Sequence, residues 1–189
     1  MEQTAIALGF FDGVHIGHGA LLRRTVERAR ALGAARGHPV IPAAFTFDRA
    51  PKEFVTGKPV PLLTTVEERR ALIREVYGIE RTIVEPFDLH MMEMPWQAFL
   101  ETLLLAKYHA VWLVAGHDYR FGHRNEGTTD RLRAWCAAHG VGCDIIPKVT
   151  LRGVTVSSTH IRELIEAGKA GEAEEFLGHP VPRSAAEGI

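Results

Sequence analysis

The chain has 189 residues, 46% of them hydrophobic, and a formal net charge of −1. That length suits one domain with one full core, and the lack of a basic excess argues against nucleic acid as the main partner. The longest apolar runs, such as AVWLVAG at 110–116, are too short to span a bilayer, and the opening MEQTAIALGFF has no basic segment ahead of a long apolar stretch. A cytoplasmic protein with no membrane partner is expected. Cys136 and Cys143 form no CxxC pair, so reduced thiols are expected and no metal site is.

Residues 4–9 (TAIALG) read as a buried strand ending in glycine, followed by a loop over 10–17. Leu21, Leu22, Val26, Ala29 and Leu32 then recur at helical spacing, with Arg23, Arg24, Glu27 and Arg28 on the other side, and the helix is expected to stop near Gly33. A strand is expected over 39–47, then a proline-bearing loop over 48–63. Thr65 and Glu68 form a capping-box pattern ahead of Leu72, Ile73 and Val76. A strand follows at 81–87 and a helix at 95–108, where Pro95 suits the first helical position. The remaining elements are a strand at 110–116, a helix from Thr128 or Thr129 to 139, a strand at 141–147, a helix at 157–168, and a short helix ending at Leu177. Residues 180–189 (PVPRSAAEGI) read as a frayed tail.

Strands that alternate with helices and are apolar throughout indicate an α/β fold with a doubly wound parallel sheet. Ligands in such sheets bind beyond the carboxyl ends of the strands. Two segments there carry chemistry. The first is Gly9-Phe10-Phe11-Asp12-Gly13-Val14-His15-Ile16-Gly17-His18, between a strand and a helix. Glycines allow tight turns and close backbone approach, the helix start offers N–H groups to phosphate, and His15 and His18 lie on nearly one side of a turn. The second is Val156-Ser157-Ser158-Thr159-His160-Ile161-Arg162, where a serine caps a helix and Arg162 sits in its first turn, a second anion site. His109, His117, His123, His139 and His179 are scattered and read mostly as surface groups. Trp96, Trp112 and Trp135 read as core.

These segments resemble the HxGH and SSTxxR signatures of the nucleotidyltransferase superfamily. GFFDGVHIGH, LLTTVEERRALI, EPFD, VAGHDYRFG, EGTTDRL and VSSTHIRELI follow one another as in bacterial FAD synthetases, and the likeness to their adenylyltransferase domain runs from Ala5 to about Pro180. The resemblance implies a Rossmann-like nucleotidyltransferase (HIGH-type) fold over 1–180, with 181–189 as a C-terminal tail, and transfer of AMP from ATP to FMN, giving FAD and pyrophosphate. It implies His15, His18 and Arg162 as the catalytic residues. ATP would be held by Gly9, Phe10, Phe11, Gly17, His18, Asp118, Ser157, Ser158, Thr159 and Arg162. The flavin would be held by Phe47, Asp48, Pro51, Tyr119 and Phe121. Mg²⁺ would ride on ATP oxygens and water, without a carboxylate cage.

The chain departs from that family at three points. Its 189 residues leave no room for the riboflavin kinase domain of the bifunctional enzymes, so FMN is expected from a separate kinase unless the chain is a fragment. A Pro-His-Pro run after the second strand is replaced by Phe47-Asp48-Arg49-Ala50-Pro51, and an asparagine common before Phe-Asp-Gly is Phe10. The second departure keeps another phosphorylated acceptor open as a reading. A catalytically silent flavin or nucleotide binder is a further reading, against which the intact His15, His18, Ser158, Thr159 and Arg162 argue. A class I aminoacyl-tRNA synthetase is disfavoured by the short length and the lack of a KMSKS-like string.

Overall fold

The computed structural model describes residues 2–188; Met1 and Ile189 lie outside the described residues. Five strands form one parallel sheet: β1 (Gln3–Leu8), β2 (Val40–Phe47), β3 (Arg81–Glu85), β4 (Ala110–Gly116) and β5 (Gly142–Ile146), in the order β3-β2-β1-β4-β5. The chain winds outward from β1 to β3, then returns to the other side of β1 with β4. The switch in strand order therefore lies between β1 and β4, where the loops that follow them diverge and leave a crevice.

Alternate side chains sort to two faces. Ile6, Leu8, Ala43, Phe45, Leu113 and Ala115 face a helix that begins as α5 (Trp96–Ala98) and continues over Phe99–Lys107, together with α6 (Thr129–His139). Ala7, Ala44 and Val114 face α1 (Ile16–Arg36) and α3 (Val66–Tyr77) through Leu21, Leu22 and Ile73. The small alanines on that second face let α1 lie close across β1, β2 and β4. A satellite core joins α7 (Ser158–Glu166) and α8 (Ala170–Leu177) to Leu63 and Ala185.

Several elements differ from expectation. α1 runs past Gly33 to Arg36. Its left-handed cap is Gly37, at φ 70°, whose N–H reaches the Gly33 carbonyl. Gly33 stays helical, and a Cβ there would come within 3.4 Å of the His38 carbonyl oxygen, an ordinary contact distance. The expected loop at 48–63 holds α2 (Pro51–Thr56), which buries none of its residues and so shows no apolar period. A short α4 (Leu89–Glu93) is capped by Asp88. The expected helix at 95–108 has i→i+5 turns over Phe99–Lys107, as in the bond from Tyr108 N–H to the Leu103 carbonyl (3.1 Å). A hairpin of β6 (Thr150–Leu151) and β7 (Val154–Thr155) turns on Arg152 (φ 51°) and Gly153 (φ 80°), the left-handed pair that a tight hairpin requires. The tail is not frayed over its described part: it forms α9 (Arg183–Gly188), with Ala185 buried and Ser184 bonded to Glu68 and to the Leu63 carbonyl. The capping box stands as expected, with Glu68 N–H on Thr65 Oγ1 (3.1 Å) and Thr65 N–H on Glu68 Oε2 (2.9 Å).

Candidate active site

A cavity of about 1170 Å³ opens at the carboxyl end of the sheet, over the β1/β4 switch. That exceeds the usual span for one small ligand, roughly 300–1,000 Å³, and leaves room for two. Its walls include Gly9, Phe10, His15, Gly17 and His18 after β1, Asp118, Tyr119 and Phe121 after β4, and Ser157, Ser158 and Thr159 at the start of α7. Phe47 and Pro51 lie on the opposite side, near Phe87. Thus most of the expected site residues meet in one place.

Three do not line the cavity. Phe11 is fully buried beneath it, in left-handed geometry (φ 57°), edge-on to the His18 ring at 5.3 Å. Asp48 spends its carboxylate on the Phe87 N–H (2.9 Å). Arg162 turns behind the wall, where its Nη1 donates to Asp12 Oδ2 (2.9 Å) and its Nη2 to Thr159 Oγ1 (3.3 Å).

Two helix N-termini converge on the cavity. His15 caps α1: its Nδ1 accepts from the His18 N–H at 3.2 Å. That bond places the remaining ring proton of His15 on Nε2. The His15 and His18 rings stack at 3.6 Å, tilted by 11°. Ser157 caps α7 by accepting from the His160 N–H (3.2 Å), and Ser158 Oγ donates to the Asp12 carbonyl (2.9 Å).

Burial, opposed in part by a hydrogen bond to its own main chain, pushes the His15 imidazole down to about 4. His18 is pushed well below the usual imidazole range by burial, and then by the charges of His15 and Arg69. Its edge faces the cavity while its Nδ1 is sealed, with no hydrogen-bond partner among the described residues. At neutral pH both rings are uncharged donors rather than cations, which refines the expectation from sequence. The native state resists protonating His15, whereas the unfolded chain takes the proton near pH 6.5. Stability is therefore full above pH 6.5 and falls as pH drops toward about 4, by roughly 3 kcal/mol from this group. Urea unfolding at pH 7 and pH 4.5 checks this: His15→Gln should show a visibly shallower loss than the wild type.

The loop after β4 is shaped by backbone. Gly122 has φ 72°, and a Cβ there would lie 2.5 Å from Trp96 Cα and 2.7 Å from Trp96 N. Gly122→Ala should cost roughly 2–4 kcal/mol in urea unfolding, since the conformation is strained for an L side chain and the neighbour is main chain.

Sequence reasoning missed the junction behind the histidines. Asp12 is buried; its Oδ1 accepts from the N–H groups of Leu63 (2.8 Å) and Thr64 (3.1 Å), and its Oδ2 holds Arg162. Burial raises its carboxyl above the usual range, against the opposing pull of Thr64, Arg162 and Arg69. Gly13 N–H donates to Thr64 Oγ1 (3.1 Å). His179, expected at the surface, lies with Nε2 2.9 Å from the Gly13 carbonyl. His123 is half-buried and lines the cavity, again unlike the expectation. Asp12 lies inside the glycine-rich loop, so an acid among apolar and glycine neighbours was the available signal.

A family model described as FAD synthetase matches residues 1–160. A bifunctional riboflavin kinase/FMN adenylyltransferase of Listeria monocytogenes is 33% identical over 180 residues, covering 94% of this chain and 54% of that protein. The enzyme of the same name in Escherichia coli K12 is 34% identical over 182 residues, covering 95% and 55%. A Geobacillus thermodenitrificans protein, named as a provisional example of the same bifunctional enzyme, is 35% identical and is covered over 93% of its length. A solved structure described as a macrolide-efflux protein from Streptococcus pneumoniae superposes with a TM-score of 0.80 at 27% identity, over 95% of this chain and 56% of that one. Among the described residues here, no helix is long and apolar enough to cross a membrane. The chain spans about half the length of the Listeria and Escherichia relatives. With the matched model covering most of its length, the chain belongs to the FAD synthetase family.

Proposed function

We propose that residues 1–180 form an adenylyltransferase domain that moves AMP from ATP to FMN, giving FAD and pyrophosphate. The observation that carries this reading is the meeting of two helix N-termini and the His15–His18 pair in one cavity large enough for two ligands. The names of the relatives supply the acceptor.

An FMN phosphate oxygen attacks the α-phosphorus, the bond to the β-phosphate oxygen breaks, and pyrophosphate leaves with the electron pair. The acceptor is already a competent nucleophile, so the protein positions groups and stabilises charge. The N–H groups at the starts of α1 and α7 face the phosphates. The Nε2–H of His15 and the cavity edge of His18 donate to the α-phosphate as charge builds there. Ser158 and Thr159 face the outer phosphates, with Arg162 behind them bonded to Thr159 Oγ1 and lending its charge, and Asp118 placing the nucleoside. Phe47, Pro51, Tyr119 and Phe121 supply the apolar side for a flavin ring. Among the described residues, no group of three or more His, Cys, Asp or Glu side chains is placed to hold a metal ion. Mg²⁺ would enter with the triphosphate, carried by its oxygens and by water. The domain works in the cytoplasm on small molecules, without nucleic acid or membrane, and receives FMN from a riboflavin kinase.

Purified protein with ATP, Mg²⁺ and either FMN or riboflavin, resolved by chromatography, tests the reading. FAD and pyrophosphate from FMN alone support it. No FAD from a folded sample overturns it and turns attention to another phosphorylated acceptor, because α2, which opens on Pro51, brings Lys52, Val55 and Thr56 to the acceptor side.

A further inference from the structure

Arg69, on α3, is fully buried. Its Nη1 donates to Thr46 Oγ1 (3.0 Å) and to the Phe47 carbonyl (3.1 Å), both neutral acceptors. Its Nε and Nη2 have no hydrogen-bond partner among the described residues. The guanidinium lies 4.3 Å from the centre of the Phe10 ring, and Phe10 lines the cavity. A buried cation held this way is costly, and an apolar side chain of similar length would serve a core better. Stability therefore gives no reason for a guanidinium here.

The charges around the first loop do give one. Among the described residues Asp12 is the single buried carboxylate, and Arg162 is its ion-pair partner at 2.9 Å. Arg69 interacts electrostatically with Asp12 and with His18 but makes no ion pair among the described residues. With His15 and His18 neutral, one carboxylate stands against two guanidinium groups. One positive charge is left over, separated from the cavity by an aromatic ring rather than by water. Charge set in such surroundings is poorly screened and acts over several ångströms.

We propose that Arg69 is an electrostatic positioning residue, whose uncompensated charge beneath Phe10 draws the phosphate chain of the nucleotide into the cavity without touching it. This rests on the nucleotide reading above. It also gives the Phe10 substitution a role: the ring shields the guanidinium from solvent and passes its field through a flat apolar layer.

The test uses Arg69→Met, Arg69→Gln and Arg69→Lys in the full chain, with calorimetric titration of ATP and of adenosine and a thermal melt without ligand. Arg69→Met should melt at or above the wild-type temperature and weaken ATP binding about tenfold or more, with adenosine affinity held within about twofold. Arg69→Lys should keep ATP affinity within about threefold, because it keeps the charge. Equal losses for ATP and adenosine alongside a lower melting temperature would assign Arg69 a structural role and overturn the proposal. So would unchanged ATP affinity in folded Arg69→Met or Arg69→Gln, or failure of both to fold. A wild-type chain that binds FMN but no ATP would instead overturn the nucleotide reading itself, and this inference with it.

Discussion

His18→Ala is expected to lower the turnover of FAD formation by about 100- to 1,000-fold, the usual cost of removing one positioned donor from developing charge. The melting temperature should change little. The imidazole sits at the cavity edge and its main-chain N–H, which caps onto His15 Nδ1 at 3.2 Å, is kept by alanine. The loss should fall mainly on kcat. A neutral imidazole makes a modest bond to a ground-state phosphate but a stronger one as charge grows at the α-phosphate. His18→Asn, which retains an N–H donor, should recover part of the loss. Steady-state kinetics with FMN at saturating ATP, beside a thermal melt, separate the outcomes. Turnover within about threefold of wild type would remove His18 from the mechanism. A large loss together with a collapsed melt would make it a packing residue, stacked at 3.6 Å on His15.

The sheet was legible because its signals are local: apolar strands, some ending in glycine, and a capping box at Thr65 and Glu68. What escaped was whatever depends on tertiary neighbours. α2 buries nothing and so leaves no period in the sequence. α9 reads as polar tail until Ala185 is seen packed near Leu63. Gly33 reads as a helix stop, yet the helix runs through it and Gly37, in left-handed geometry, is the cap. The site divides the same way. His15 and His18 announce themselves by spacing within one loop. Asp12 acquires its meaning from partners 51 and 150 residues away, and His179 from one 166 residues away. No window of sequence contains those pairs. Arg69 is legible only as one more basic residue in EERRAL until burial sets it apart from its exposed neighbour Arg70.

Asp12→Ala should be the most damaging single change to the fold near the site. Four groups lose their acceptor at once: the N–H groups of Leu63 and Thr64, the Thr64 hydroxyl, and the Arg162 guanidinium. Each lies in a junction where water is scarce, since Asp12 is 4% exposed. Removing one partner of a buried ion pair typically costs about 3–5 kcal/mol, which for a chain of this size lowers the melting temperature by roughly 10 °C. Activity should fall too, because Asp12 ties the start of α7 to the first loop twice, through its carboxylate to Arg162 and through its carbonyl to Ser158 Oγ. Asp12→Asn separates the two roles. Its amide oxygen still accepts from Leu63 and Thr64, so the loss of stability should be smaller than for Asp12→Ala, the remainder coming from an amide N–H set against the Arg162 guanidinium. Arg162 loses its counter-charge and its fixed orientation, so ATP should bind more weakly. If Arg162→Lys is as defective as Asp12→Asn and the double variant is no worse than either, the two act as a unit. Additive defects would show that Asp12 steadies the loop and that Arg162 finds its place without it.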